Sequence, residues 1–230
     1  MSHVAENLAR ITDRIADACH RGGRSPAKVR LMAVSKRQPV DRIREAVTAG
    51  LRLFGESRVQ ETEARQDLFP EDAEIHLIGH LQRNKARDAA RLYHAVDSID
   101  AERTARALHD RLTEQQRKLP ILLEVNTSGE DSKQGVRTYD QLTELVTAVA
   151  PLTSLTITGL MTIGPISTDE GELRRAFASL REFSEHLARD FPDLPLSELS
   201  MGMSNDYEYA IMEGATTVRV GTALFGARDS

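Results

Sequence analysis

A lysine at the end of an apolar run is the residue of this sequence whose position most clearly suggests chemistry. Lys36 follows the run 29–35, and Gln38 and Pro39 begin the next element. The carboxyl end of a strand is where parallel α/β folds place their chemistry. An amine there can serve as a surface charge, a phosphate ligand or a nucleophile that condenses with an aldehyde.

Two later segments, 200–206 and 219–226, combine glycine with small hydroxyl side chains. Barrels commonly bind phosphate with the loops after strands seven and eight, using backbone N–H groups and hydroxyls. Gly221 would allow close approach of the backbone, while Ser200 and Thr222 could donate hydroxyl groups. Either segment alone is typical of a tight turn, but the two together favour phosphate binding.

Arg219 is the first residue of the second segment, and it interrupts an otherwise apolar strand just before the turn at Gly221. Its side chain is expected to point inward, near the mouth of the barrel. There it would either donate to a ligand or form a salt bridge with an acid such as Glu124.

Several other residues at the strand ends carry weaker signals. Met161, Met201 and Met203 are more typical of core filling, although a flat apolar ligand would tolerate them. His76 and His80 are four residues apart, but their segment resembles a strand and a turn rather than one helical face. A metal site is therefore not predicted.

These residues need a fold that brings distant segments together. After a first amphipathic helix that ends at Gly22 and Gly23, short apolar runs alternate with helical patterns, which indicates parallel strands with right-handed crossovers. Eight strands in 230 residues favour one α/β domain over 1–230, a (β/α)8 TIM barrel, rather than a doubly wound sheet. The extra N-terminal helix is expected outside the barrel or across its bottom. The predicted strands are 29–35, 51–54, 75–78, 95–99, 121–126, 155–161, 196–201 and 217–220. The predicted crossover helices are 40–49, 83–91, 102–117, 139–150 and 172–189.

Composition limits the possible partners. With 40% hydrophobic residues and a formal net charge of −5, a large core is expected and disorder is not. The sequence lacks a basic stripe and is only 4% aromatic, so a nucleic-acid partner is not expected. No run approaches the ~20 apolar residues of a membrane span. The absence of an export signal and the lone Cys19, which cannot form an internal disulfide, predict a cytoplasmic location.

In a barrel, the amine, the phosphate-binding turns and the cation would share one mouth. An aldehyde that carries a phosphate would suit all three, and pyridoxal 5′-phosphate (PLP) is such a ligand. A phosphorylated sugar held as a Schiff base is the alternative that these residue types leave open.

The chain resembles the pyridoxal phosphate homeostasis protein family, the single-barrel relatives of the alanine racemase barrel. The resemblance implies a PLP-binding protein that holds the cofactor as an internal aldimine and helps to balance intracellular vitamin B6, without established enzymatic turnover. Apo-enzymes that need PLP would be transient recipients, and a monomer is expected. The resemblance is carried by segments 31–36, 54–56, 59–61, 76–85, 126–135, 159–161, 199–204 with Asp206, and 218–226.

When the residue roles of the family are carried over by position, the resemblance implies that Lys36 is the Schiff-base lysine and that Arg219 faces the pyridine nitrogen. Further residues predicted to bind the cofactor are Ser200, Ser204, Gly221, Thr222, Met201, Met161 and Asn126. The family usually has asparagine where this chain has Ser57, so a direct cofactor contact from that side chain is in question. Lys133, in the polar loop 130–135, could be a second amine that receives or relays cofactor.

Guanidinium keeps its protons, so an arginine beside the pyridine nitrogen donates a hydrogen bond and leaves that nitrogen unprotonated. A neutral pyridine is a poor electron sink, which disfavours transaminase-type chemistry. The alternative function is a PLP-dependent racemase of the alanine racemase type. In those relatives an acid/base tyrosine comes from a separate C-terminal domain, which this chain is expected to lack.

Overall fold

Eight parallel strands close into a barrel in chain order, and the last strand pairs with the first. The computed structural model of the protein describes residues 2–226. Helices connect successive strands, so the predicted (β/α)8 barrel is confirmed. The strands are β1 (Arg30–Val34), β2 (Leu53–Glu56), β3 (Glu74–Leu77), β4 (Ala95–Ile99), β5 (Leu119–Glu124), β6 (Leu155–Met161), β7 (Glu198–Met203) and β8 (Thr217–Val220).

The helices follow the predicted order with three short additions, α3, α8 and α9. The predicted helix 83–91 begins later, because Arg83–Lys85 forms a 3₁₀ turn first. The predicted helix 102–117 ends earlier, because Gln116 adopts a left-handed φ of 53°. The helices are α1 (His3–Arg21), α2 (Val40–Thr48), α3 (Val59–Glu63), α4 (Ala86–Leu92), α5 (Glu102–Glu114), α6 (Tyr139–Val149), α7 (Glu170–Asp190), α8 (Tyr207–Met212) and α9 (Thr222–Phe225). Within residues 2–226, every helix is too short or too polar to cross a membrane.

The extra helix α1 packs outside the barrel. Its N-terminus is capped by Ser2, whose Oγ accepts from the N–H of Ala5 at 3.3 Å. Its buried face, which includes Val4 and Cys19, contacts α2, α8 and α9. The Nδ2 of the buried Asn7 donates to the carbonyl oxygen of Leu224 at 2.9 Å. Helix α1 therefore supports α9, which follows the last strand of the barrel.

A cluster of charged side chains occupies the amino-terminal end of the barrel, opposite Lys36. Arg30, Glu74 and Glu198 each begin a strand and line a cavity of about 250 Å³. Nδ1 of the buried His76 lies 3.0 Å from Oδ1 of Asp97. Burial by itself lowers the pKa of His76, but attraction to Asp97 and hydrogen bonds with Asp97 and Glu74 raise that pKa to about 9.

This raised pKa predicts the direction of a pH effect on stability. Protonated His76 stabilises the fold fully below its usual pKa of 6.5, and this contribution is lost as the pH rises through 9. Its size is at most about 3 kcal/mol, because one pKa unit corresponds to about 1.4 kcal/mol. Urea unfolding of the wild type is expected to show declining stability between pH 6.5 and 9.5, with a smaller decline in His76→Gln. An equal decline in both proteins would contradict the assignment to His76.

Candidate functional site

A cavity of about 440 Å³ opens at the carboxyl ends of the strands. The predicted site residues that line it are Lys36, Met161, Ser204, Arg219, Gly221 and Thr222. Met161 and Arg219 belong to β6 and β8, and the other four lie within two residues after the ends of β1, β7 and β8. The structure thus brings the amine, the guanidinium and the predicted phosphate-binding turns to one place.

Three predicted site residues do not line this cavity. Ser200 is fully buried, and both its carbonyl oxygen and its Oγ accept hydrogen bonds from Arg219, at 2.7 and 2.9 Å. Met201 belongs to the apolar core. The Nδ2 of Asn126 donates to the carbonyl oxygens of Glu130 and Lys133, at 2.8 and 3.2 Å, and so orders the loop after β5. Ser200 and Asn126 therefore hold two residues of the lining, Arg219 and Lys133, by hydrogen bonds from outside it.

Arg219 is a buried cation at the floor of the cavity, with only 4% of its surface exposed. Its guanidinium donates to Ser200 and, at 2.7 Å, to the carbonyl oxygen of Thr162. Within the described part of the chain, these oxygens take the place of the salt bridge with Glu124 that the sequence left open. A guanidinium has five N–H donors, so donors remain for a ligand in the cavity.

The electrostatics around Arg219 involve three acids. Burial lowers the pKa of Arg219, while attraction to Asp97, Asp206 and Glu124 raises it. Burial also raises the pKa of Glu124 to about 7, with repulsion from Asp100 acting in the same direction and Arg219 opposing it. Arg219 therefore favours the ionised form of Glu124, and the three acids favour the charged form of Arg219.

Hydrogen-bond donors converge at the end of the cavity where β7 and β8 finish. The backbone N–H groups of Gly221 and Ala223 both donate to Ser204 Oγ, at 3.3 and 3.2 Å. Asp206 fixes the preceding turn, since its Oδ1 accepts from the N–H of Met203 at 2.5 Å. Paired backbone N–H groups beside a hydroxyl are a preorganised arrangement for binding anionic oxygens.

One wall of the cavity was not anticipated from the sequence. Residues 163–167, which follow β6, line it, and Ile166 within this loop is 91% exposed. Lys133 holds the loop, because its Nζ donates to Glu130 Oε1 and to the carbonyl oxygen of Gly164, both at 2.7 Å. The signal that could have found this wall is the Gly164-Pro165 dipeptide, a turn signal directly beyond a strand. A relay role for Lys133 stays a prediction.

Ser57 lies away from the cavity lining. A Cβ placed on Gly79 would approach the carbonyl oxygen of Ser57 to 2.4 Å, so the loops after β2 and β3 are in tight contact at this point. Ser57 lines a separate groove that includes Arg58 and Lys85. Its side chain is therefore placed beside a neighbouring loop. Position 57, where the family usually has asparagine, lies outside the lining of the cavity.

The fold and the cavity define a class of protein: barrels of the alanine racemase type with a lysine at the end of the first strand. A sequence model described as "Alanine racemase, N-terminal domain" matches residues 6–229. A structure of an unknown protein from Bifidobacterium adolescentis superposes with a TM-score of 0.90 at 34% identity, covering 96% of this chain and 94% of that one.

More specific relatives narrow this class. A pyridoxal phosphate homeostasis protein of Pseudomonas aeruginosa is 44% identical over 230 residues, which span 100% of this chain and 97% of that protein. The structure of PipY from Synechococcus elongatus with PLP bound is 38% identical with a TM-score of 0.84, and the match covers 97% of this chain and all of PipY. The chain belongs to the pyridoxal phosphate homeostasis protein family.

Proposed function

We propose that residues 1–230 form a single-domain protein that holds PLP on Lys36 and passes it to apo-enzymes, without catalytic turnover of its own. The observation that carries the proposal is that Lys36, Arg219, Ser204 and Gly221 line one cavity. The PLP bound to PipY supports the same assignment. A monomeric state and a cytoplasmic location remain predictions.

The residues present suit this cofactor. When bound, PLP supplies an aldehyde carbon, a phosphate and a pyridine nitrogen. The Lys36 amine would hold the aldehyde carbon through a C=N bond, whose formation would release one water and whose hydrolysis would reverse the step. The phosphate would accept from the Ser204 hydroxyl, whose Oγ is held in place by the N–H groups of Gly221 and Ala223. Arg219 would donate to the ring nitrogen.

Holding rather than turnover follows from two features of the site. Arg219 would donate to the ring nitrogen and leave it unprotonated, which would weaken the ring as an electron sink. Racemisation also needs a proton donor on the opposite face of the substrate. Within residues 2–226, no tyrosine lines the cavity, and Tyr93 and Tyr207 are buried in the core. Both features favour the homeostasis role over the racemase alternative.

Direct transfer of cofactor tests the proposal. The protein is loaded with PLP, freed of excess cofactor by gel filtration, and mixed with a PLP-dependent apo-enzyme. The absorbance of the bound cofactor is expected to fall as the activity of the apo-enzyme appears. Both changes should be faster than when a dialysis membrane separates the two proteins, so that only spontaneously released PLP reaches the apo-enzyme. Recovery of activity at the rate of spontaneous release would contradict direct delivery. Deuterium exchange at the α-carbon of alanine, above the rate with free PLP, would instead support the racemase.

Replacing Ser204 with alanine tests the phosphate end of the cavity. The hydroxyl that meets the N–H groups of Gly221 and Ala223 is lost, so the Kd for PLP is expected to rise about tenfold, as for one charge-assisted hydrogen bond. Binding of pyridoxal, which has no phosphate, should change less than twofold. Both ligands are titrated by absorbance. Equal weakening for PLP and pyridoxal would show that Ser204 does not contact the phosphate.

A further inference from the structure

The turn that carries Lys36 has an unusual backbone. The N–H of Gln38 donates to the carbonyl oxygen of Ser35 at 3.0 Å, which closes a four-residue turn with Lys36 and Arg37 at its centre. Arg37 has a φ of 59°. A positive φ at the third position is the mark of a type II turn, where glycine or asparagine is usual. Arginine in this conformation is disfavoured by about tenfold or more.

A carboxylate fixes this disfavoured conformation. The backbone N–H of Arg37 donates to Oε1 of Glu61 at 2.5 Å. Type I and type II turns differ mainly in the orientation of their middle peptide, which here joins Lys36 to Arg37. An acceptor placed at the N–H of Arg37 therefore selects the type II orientation. A charge-assisted hydrogen bond of this kind favours the conformation that forms it by about tenfold or more in population, enough to offset the strain at Arg37.

Glu61 is itself held firmly in place. It lies on α3, its side chain is only 15% exposed, and Arg65 pairs with it at 2.7 Å. On the other side of Lys36, the buried Glu56 holds Ser35, because Oε1 of Glu56 accepts from Ser35 Oγ at 2.6 Å. Helix α3 and the end of β2 thus fix the turn by hydrogen bonds on both sides of Lys36. The segments 54–56 and 59–61 lie outside the cavity lining, and these hydrogen bonds give them a structural role in holding the turn.

We propose that Glu61 is a positioning residue for Lys36. Glu61 holds the Lys36–Arg37 peptide in its type II orientation, and this backbone conformation directs the Lys36 amine into the cofactor cavity. The inference rests on the proposed function, because the amine matters only if it captures PLP. Glu61 acts through the backbone of the turn, so its effect should depend on which residue occupies position 37.

Four variants test this role: Glu61→Ala, Glu61→Gln, the double variant Arg37→Gly with Glu61→Ala, and Glu63→Ala as a control. Glu63 lies on the same helix but pairs with Arg91, away from the turn. Covalent capture is measured as the apparent Kd from an absorbance titration and as the borohydride-reduced adduct on Lys36. Glu61→Ala is expected to raise the apparent Kd about tenfold. Glutamine keeps an acceptor, so Glu61→Gln should stay within threefold of the wild type, as should Glu63→Ala.

The double variant separates positioning from electrostatics. Glycine adopts a positive φ without help, so Arg37→Gly should restore capture in the Glu61→Ala background. Failure of this rescue, or unchanged capture in Glu61→Ala alone, would overturn the inference. If Glu61→Ala does not fold, Arg37→Gly with and without Glu61→Ala should have apparent Kd values within threefold, and a larger difference would also overturn it. Absence of any adduct in the wild type would refute the proposed function instead.

Discussion

Covalent capture of PLP is expected to disappear when Lys36 is replaced with alanine. Lys36 supplies the amine at the end of β1 and lines the same cavity as Arg219 and Ser204. Without that amine no C=N bond can form, and PLP retains only its polar contacts. The apparent affinity should fall about a hundredfold, which corresponds to about 2.7 kcal/mol.

The measurement is reduction with borohydride followed by peptide mass spectrometry, with PLP absorbance recorded in parallel. Lys28→Ala is the matched control, because Lys28 is exposed and precedes β1 at the opposite end of the barrel. It should retain the full adduct. An undiminished adduct in Lys36→Ala, moved to Lys133, would show that the principal anchor had been misassigned. Trapping a sugar phosphate but not PLP on Lys36 would favour the lyase alternative.

The contrast between Ser200 and Ser204 shows how a strand irregularity limits sequence reasoning about the site. Both were predicted to bind the cofactor, but only Ser204 lines the cavity. Strand β7 contains a register shift against β8 between Ser200 and Met203, and Gly202 within it has a φ of 89°. Such an irregularity changes which side chains point inward, and the alternation of residues along a strand does not reveal it. The sequence shows the glycine but not the bulge.

The fold was more predictable than the details of the site. Strands β4, β6 and β8 have the predicted bounds, because each begins and ends on an apolar or β-branched residue and is flanked by polar residues or glycine. Helix α3 has five residues, too few for a helical period to be visible. The contact between Lys133 and Gly164 joins two loops 31 residues apart, and no local pattern encodes such a pairing. Strand ends therefore locate the site, whereas its supporting contacts require the structure.

Replacing Arg219 with methionine is expected to cause a large, pH-dependent loss of stability. The change removes the donors to Ser200 and Thr162 and the cation that faces Glu124 and Asp206. Breaking such a buried charged network costs about 3 kcal/mol or more. Burial raises the pKa of both acids, and that of Glu124 reaches about 7 even with Arg219 present.

The sign of the pH effect follows from these acids. An acid with a raised pKa in the folded state costs stability as the pH rises above its unfolded pKa, and loss of Arg219 raises both pKa values further. Urea unfolding at pH 5 and pH 8 should therefore show a greater loss for Arg219→Met at pH 8. Arg219→Lys, which keeps a charge but not the guanidinium geometry, should have a weaker pH dependence. An equal loss for Arg219→Met at both pH values would mean that Arg219 stabilises the barrel through its hydrogen bonds alone and does not affect the ionisation of the buried acids.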